Sequence, residues 1–288
     1  FTQKGKCFWM RVYEIPEGSK ASKGRAIQNL INIDPDDRVK AFICTQDLKD
    51  EEYINKHYVI MATKKGQVKK TSLEQYSRPR TNGINAITIK EDDELLEAKL
   101  TNGDSQVMLA VRSGKAIRFE EGKTRPMGRN ASGVRGITLA DDKDEVVGMI
   151  SVEDFNSDIL VVSENGYGKR SSLEDYRITN RGGKGVKTIS ITEKTGSLVA
   201  IKNVSDDEDI MIINKSGIVI RMEVANLRVM GRATQGVRLI NLKGNDAIAA
   251  VAKVLHDEDD VELMEDAEKA EDAEENPNGT TIVDDSEE

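Results

Sequence analysis

Residues 111–119 read VRSGKAIRF and residues 133–139 read GVRGITL. The first stretch turns at Gly114 and runs on in alternation; the second opens on Gly133 and alternates again. Alternation on both sides of a glycine turn is the pattern of short antiparallel strands. The pair recurs along the chain. TQKGKCFWM (2–10), TKKGQVKKT (63–71), SENGYGKRS (163–171) and NKSGIVIRM (214–222) repeat the first stretch, and GINAITI (83–89), GVKTISI (185–191) and GVRLINL (236–242) the second. The turn glycines Gly5, Gly66, Gly114, Gly166 and Gly217 are spaced 61, 48, 52 and 51 residues, and a second glycine (Gly24, Gly83, Gly133, Gly185, Gly236) follows each after 19, 17, 19, 19 and 19.

A polar link such as ADDKDE (140–145) and a further apolar run, VVGMISV (146–152), complete each unit, giving about four strands in about 50 residues, the size of one propeller blade. The expected fold is therefore all-β: a propeller-like disc of four-stranded blades, with repeats near 1–57, 58–106, 107–158, 159–209 and 210–255. Helical periodicity is poor, and EDFNSD and LEQY are expected to form a helical turn at most. The first unit lacks the apolar run that precedes the turn elsewhere, and with Phe1 in place of Met the chain reads as a segment of something longer.

The formal net charge of −9 conceals two parts. Residues 257–288 carry 16 acidic residues and one lysine, leaving 41 Lys and Arg against 35 Asp and Glu in residues 1–256. A basic body with an acidic tail points to a polyanion partner. The tail, 256–288, is expected to be disordered. At 38% hydrophobic and 4% aromatic the chain has a modest core, and no run of 18 apolar residues spans a membrane. Cys7 and Cys44 are expected to be buried thiols. His57 and His256 have no Cys or Ser motif beside them, GYGKRSS has Ser163 where a P-loop needs glycine, and the links are expected to be solvated turns. Nothing here points to catalysis or a metal.

The cations repeat with the glycines. Lys20, Arg129, Arg181 and Arg232 stand four residues before the second glycine, with Arg78 and Arg80 nearby in the shorter second unit; Arg135, Lys187 and Arg238 stand two after it. Lys69, Lys70, Arg118, Lys169, Arg170 and Arg221 follow the first glycine, and Lys23, Arg25, Lys64, Lys65, Arg112, Lys115, Arg125, Arg177, Lys184 and Arg228 complete the candidate set. Loops equivalent by repetition lie on one rim, so these cations form a track for a polyanion; a charged face kept for solubility is the alternative. Gly24, Gly83, Gly133, Gly182, Gly183, Gly185 and Gly236 could bring backbone N–H groups close to phosphates. Aromatic residues are not interleaved with the cations and no groove-reading motif is present, so phosphate contact with bent or wrapped duplex DNA fits better than stacking on single strands.

TKKGQVKKT, MGRNASGVRGITL (127–139), ENGYGKRSSLEDY (164–176) and MGRATQGVRLINL (230–242) resemble the C-terminal domain of the DNA gyrase A subunit. The resemblance implies a β-pinwheel of six blades with strands exchanged between neighbours, and positive wrapping of DNA on the basic rim so that strand passage introduces negative supercoils. It further implies a cytoplasmic, nucleoid-associated enzyme of two A and two B subunits that uses ATP and Mg, with strand breakage and ATP hydrolysis both outside this chain. The acidic tail is expected to compete with DNA for the rim. TNRGGKG (179–185) matches five of the seven positions of the family's Gln-Arg-Arg-Gly-Gly-Lys-Gly box, with Thr179 and Asn180 in place of Gln and Arg. The alternatives are a propeller that docks proteins through its face and the equivalent domain of the topoisomerase IV A subunit.

Overall fold

The computed structural model describes residues 1–19, 22–244 and 246–255, so Lys20 and the 256–288 tail lie outside the described residues. The strands are β1 (Lys6–Cys7), β2 (Tyr58–Thr63), β3 (Gln67–Ser72), β4 (Ile84–Asn85), β5 (Leu95–Thr101), β6 (Gln106–Val111), β7 (Lys115–Glu120), β8 (Val134–Arg135), β9 (Val146–Val152), β10 (Asp158–Ser163), β11 (Tyr167–Ser172), β12 (Val186–Lys187), β13 (Leu198–Val204), β14 (Glu208–Asn214), β15 (Val219–Glu223), β16 (Val237–Arg238) and β17 (Ile248–Leu255). Three sheets have four strands, in the orders β5-β2-β3-β8, β9-β6-β7-β12 and β13-β10-β11-β16; the fourth and fifth are β17-β14-β15 and β1-β4. The outer strand of each four-stranded sheet belongs to the next repeat. Val134 pairs with Val68, Val186 with Ala116 and Val237 with Gly168, and Ile84 pairs back to Cys7 in the same way. The exchange of strands implied by the resemblance is thus present at four junctions.

Alternation explains how the blades stack. In β2, Val59 and Met61 enter the core shared with the first unit, while Ile60 and Ala62 enter the core shared with the third. In β6, Val107, Leu109 and Val111 face back and Met108 and Ala110 face forward; in β10, Ile159 and Val161 face back and Leu160 and Val162 forward. With a side-chain period of two, a strand between two neighbours must be apolar on both faces, which is why YVIMAT, QVMLAV and DILVVS read as continuous apolar runs. The first strands of successive sheets pack on one another (β5 on β9, β9 on β13, β13 on β17) and form the hub. The exchanged strands therefore lie on the rim.

Three expectations need correction. LEQY forms a 3-10 turn (Leu73–Tyr76) and EDFNSD no helix, both within the expectation of a turn at most, but a six-residue helix, α1 (Glu51–Lys56), lies outside it; Asp50 caps it by accepting from the amides of Glu52 and Tyr53. Cys7 is buried, and burial pushes its thiol up to about 12, but Cys44 is exposed. The acidic links are fastened, not merely solvated. Asp37 accepts from the amide of Lys4, Asp93 from that of Lys65, and Asp144 from both the amide and hydroxyl of Ser113. One carboxylate per link thus ties it to the β-turn beside it, a short-range job that repeats with the unit.

The turn glycine of the last unit differs from those before it. A Cβ on Gly114 would stand 2.9 Å from Ile189 O of the next unit, whereas around Gly217 nothing lies within 4 Å. Both residues have positive φ, +81° and +91°. Gly217→Ala should therefore cost only the backbone strain, about 1 kcal/mol, and Gly114→Ala about 1–2 kcal/mol more, because the exchanged strand must move. Urea denaturation of the two variants checks this; equal costs would mean that the close approach at Gly114 is not structurally demanding.

Candidate nucleic-acid interface

Each rim loop begins beside the preceding unit and ends on it. Thr179 N donates to Arg118 O at 2.8 Å, Met127 N to Lys70 O at 2.8 Å and Met230 N to Arg170 O at 2.8 Å, so the loops enter alongside β7, β3 and β11. They leave through the second glycine, which is pressed against the same strand. Gly133 has φ +86°, and a Cβ there would lie 2.5 Å from Val68 O; Gly185 and Gly236 stand equally close to Ala116 O and Gly168 O. Glycine is required here by the approach of two backbones. Gly182 and Gly183 are also engaged by the neighbouring unit: Gly182 N donates to Gly136 O (2.6 Å), and Gly183 O accepts from Thr138 N (2.9 Å). Gly83 meets Cys7 O and the Phe8 ring, while Gly24 stands in open space.

The arginine four residues before the glycine spans the junction. Arg129 Nη1 reaches Asn85 O (3.5 Å), Arg181 Nη1 reaches Arg135 O (3.0 Å) and Arg232 Nη1 reaches Lys187 O (2.8 Å). Each guanidinium uses one donor on the preceding unit's exchanged strand, Arg181 gives a second, Nε, to Lys123 O (3.1 Å), and each keeps others for a ligand. Around these three half-buried seam arginines the loops present Arg78, Arg80, Arg125, Arg177, Lys184 and Arg228, and the exchanged strands present Arg135, Lys187 and Arg238, all exposed. Arg238 also stacks over Tyr167 and donates to its hydroxyl at 2.8 Å. Lys23 and Arg25, beside Gly24, are exposed in the first unit.

The other candidates are not on this surface. Lys69 and Lys169 are buried at 0% and 1% exposure, and Lys70, Arg118 and Arg170 are also buried. The last three, four residues after the turn glycine, latch each blade to the next: Lys70 pairs with Glu121 (2.8 Å), Arg118 Nη1 donates to Leu173 O and Tyr176 O (2.8 and 3.0 Å), and Arg170 Nη1 donates to Val224 O (3.2 Å). Trp9 takes this position in the first unit, its Nε1 donating to Tyr76 O at 3.1 Å. Arg221 is half-buried and ion-paired with Asp209 at 2.7 Å. Lys64, Lys65 and Arg112 sit on the hairpin turns among the link carboxylates: Lys64 pairs with Glu94 at 2.5 Å, which holds its amine above the usual lysine range, and Arg112 pairs with Glu145 at 3.5 Å. Lys115 is half-buried in β7 opposite Lys187. Cations after the first glycine recur because the inter-blade latch recurs. A position shared by tryptophan, lysine and arginine was the available sign that its task is donating a hydrogen bond, not carrying charge to a rim.

Comparison with known proteins follows the same repeat. A family model described as the DNA gyrase C-terminal domain, beta-propeller, matches residues 1–46, 57–102, 106–153, 157–205 and 208–254, one match to each sheet. The chain belongs to this family. It is 42% identical over 286 residues to the DNA gyrase A subunit of Staphylococcus aureus strain MRSA252, covering 99% of this chain and 32% of that protein. It therefore spans about a third of the length of that relative. Among solved structures, a DNA gyrase A C-terminal domain superposes with a TM-score of 0.75 at 25% identity, covering 88% of this chain and 80% of the other. The C-terminal domain of a DNA topoisomerase IV superposes with a TM-score of 0.80 at 24% identity, covering 94% and 82%, and shares the fold. In this gyrase C-terminal domain no three His, Cys, Asp or Glu side chains converge as a metal site among the described residues.

Proposed function

We propose that the chain binds duplex DNA along its rim without sequence specificity and wraps it in a positive sense, so that the type II topoisomerase carrying it introduces negative supercoils. The observation that supports this most directly is the repetition of one seam arginine at three successive junctions, with Arg129, Arg181 and Arg232 each flanked by exposed cations. Carboxylates cluster instead at the hairpin turns with Lys64 and Arg112. Guanidinium and ammonium groups at a regular spacing around a curved edge suit phosphates and carry no base readout. Bending 20–30 bp smoothly costs a few kcal/mol, about what several phosphate contacts offset at moderate salt. We assign ATP, Mg, strand breakage and the B subunit to parts of an A2B2 enzyme outside this chain, as the likeness to gyrase A subunits implies. A cytoplasmic, nucleoid-associated location goes with this reading, and the acidic segment 257–288 is a candidate competitor for the rim. The identity to gyrase A subunits over nearly the whole chain favours gyrase over topoisomerase IV, to which the likeness is one of fold.

Ligation of nicked circular DNA in the presence of the chain, with and without residues 257–288, tests the proposal. A positive linking-number shift is expected, larger without the acidic segment. Binding with no shift would remove the wrap, and an equal shift in both forms would remove the competition.

A protein-docking role has one observation in its favour. Val12, Tyr13 and Ile15 in the first unit and Ile218 and Val219 in the last are exposed apolar side chains at the two ends of the series. Binding insensitive to salt would favour it over DNA.

A further inference from the structure

Two of the three seams are pinned from below by a buried ammonium, and the third is not. Lys69 Nζ donates to Ala86 O at 2.6 Å and to Arg129 O at 2.5 Å; Lys169 Nζ donates to Gly231 O at 2.7 Å and to Thr234 Oγ1 at 3.2 Å. Both lysines stand three residues after a turn glycine, and both reach out of their own blade into the next unit's rim loop, one to the carbonyl of a seam arginine and the other to the residue just before one. The same register holds Ile117 beneath the 179–185 loop and Ile220 in the last blade. Hydrophobic packing alone does not call for lysine here. An ammonium with carbonyl acceptors fixes a backbone more tightly than an apolar side chain does, at the cost of desolvating its charge.

We infer that Lys69 and Lys169 are positioning residues for DNA retention, holding the loops that carry Arg129 and Arg232 in the arrangement that meets phosphates, whereas the Gly182-Gly183 loop over Ile117 is held by backbone hydrogen bonds to the neighbouring unit without a buried ammonium. This rests on the reading of the rim as a DNA track. The charged and titratable groups around Lys69 are Arg129 above it and Tyr76, whose hydroxyl also donates to Ala86 O at 3.3 Å; those around Lys169 are Asp175, Lys187 and Arg232. Burial, helped by Arg129, brings the Lys69 amine down to about 8, and burial against the partial support of Asp175 does the same for Lys169. The pins therefore lose their charge between pH 7 and 9. The sign for stability is opposite to that for binding. With the folded pKa near 8 and the unfolded one near 10.5, the unfolded chain holds more protons in that window, so these lysines make the fold more stable as pH rises. A purely structural role would move stability alone.

The test is fluorescence anisotropy of the whole chain with a mixed-sequence DNA duplex at pH 7.0 and 9.0 and fixed salt, on the parent and on Lys69→Met/Lys169→Met, with the melting temperature read in parallel. The parent is expected to bind roughly fivefold to tenfold more weakly at pH 9.0 without a lower melting temperature, and the folded double variant to be weak at both pH values with less than about a twofold change. A parent whose affinity does not change with pH overturns the inference whether or not the variant folds, and so does a folded variant that matches the parent at both pH values. A parent that binds no DNA at pH 7.0 overturns the proposed function instead.

Discussion

Replacing the three seam arginines, Arg129→Gln, Arg181→Gln and Arg232→Gln, is expected to lower duplex affinity by about 500-fold at 0.1 M salt. Each phosphate contact contributes a factor of salt concentration to the power of about −0.9, roughly eightfold at that salt, and three contacts multiply. The slope of log affinity against log salt should become shallower by about 2.7. Each guanidinium reaches the exchanged strand through a single bond at a half-exposed position, and only Arg181 adds a second, to Lys123 O, so the melting temperature should fall by less than about 5 °C. The control is Lys64→Gln, Lys65→Gln and Arg112→Gln, which removes the same formal charge from the hairpin turns. Lys64 and Arg112 are already paired with Glu94 and Glu145, and Lys65 Nζ donates to Asp142 O. A filter-binding titration across salt concentrations distinguishes the two sets. Equal losses would mean that the protein attracts DNA through overall charge, without a rim.

Removing the cation of the Lys70–Glu121 pair should destabilise the fold by about 3–5 kcal/mol. Glu121 is completely buried at the 3-10 turn of the third unit, and its Oε1 accepts from Lys70 at 2.8 Å and from Thr101 Oγ1 at 2.7 Å. Lys70 itself lies 4.0 Å from the centre of the Tyr58 ring. Lys70→Met leaves a carboxylate in an apolar junction with one hydroxyl for company. The double variant Lys70→Met/Glu121→Leu should regain most of the loss, because burial then demands no charge compensation. Denaturant unfolding of the two variants measures the coupling; a Lys70→Met loss below about 1 kcal/mol would show that water reaches the junction. The Arg118 latch ends on backbone carbonyls, so its neutral replacement strands no buried carboxylate, whereas Arg170 also pairs with Asp158 at 2.6 Å and Asp206 at 2.5 Å.

The glycine register made the fold legible. Five turn glycines at near-constant spacing, each followed by a second, announce a repeated unit of short strands, and runs such as YVIMAT announce strands covered on both faces. These are properties of spacing and alternation, which are local. The exchange of outer strands is not local. GVRGITL has the same pattern whether it pairs within its own unit or with the unit before it, and only the close fit of Gly133 against Val68 O shows which. The residues fix the ingredients of each junction, and the packing of whole blades selects the pairing.

The candidate site divided in the same way. Arg129, Arg181 and Arg232 were marked by their offset from the second glycine, and the structure places them at the junctions. Charge alone could not separate them from Lys69, Lys70, Arg118, Lys169 and Arg170, which repeat as faithfully but point into the junctions. A long cation can reach water or a neighbour's carbonyl from the same backbone position, and the choice depends on what the adjacent blade places within reach. The sequence by itself therefore determined the repeat, its strands and the number of positive charges per unit. The tertiary structure decided which charges hold the blades together and which remain for a polyanion, because that depends on a surface supplied by the neighbouring repeat.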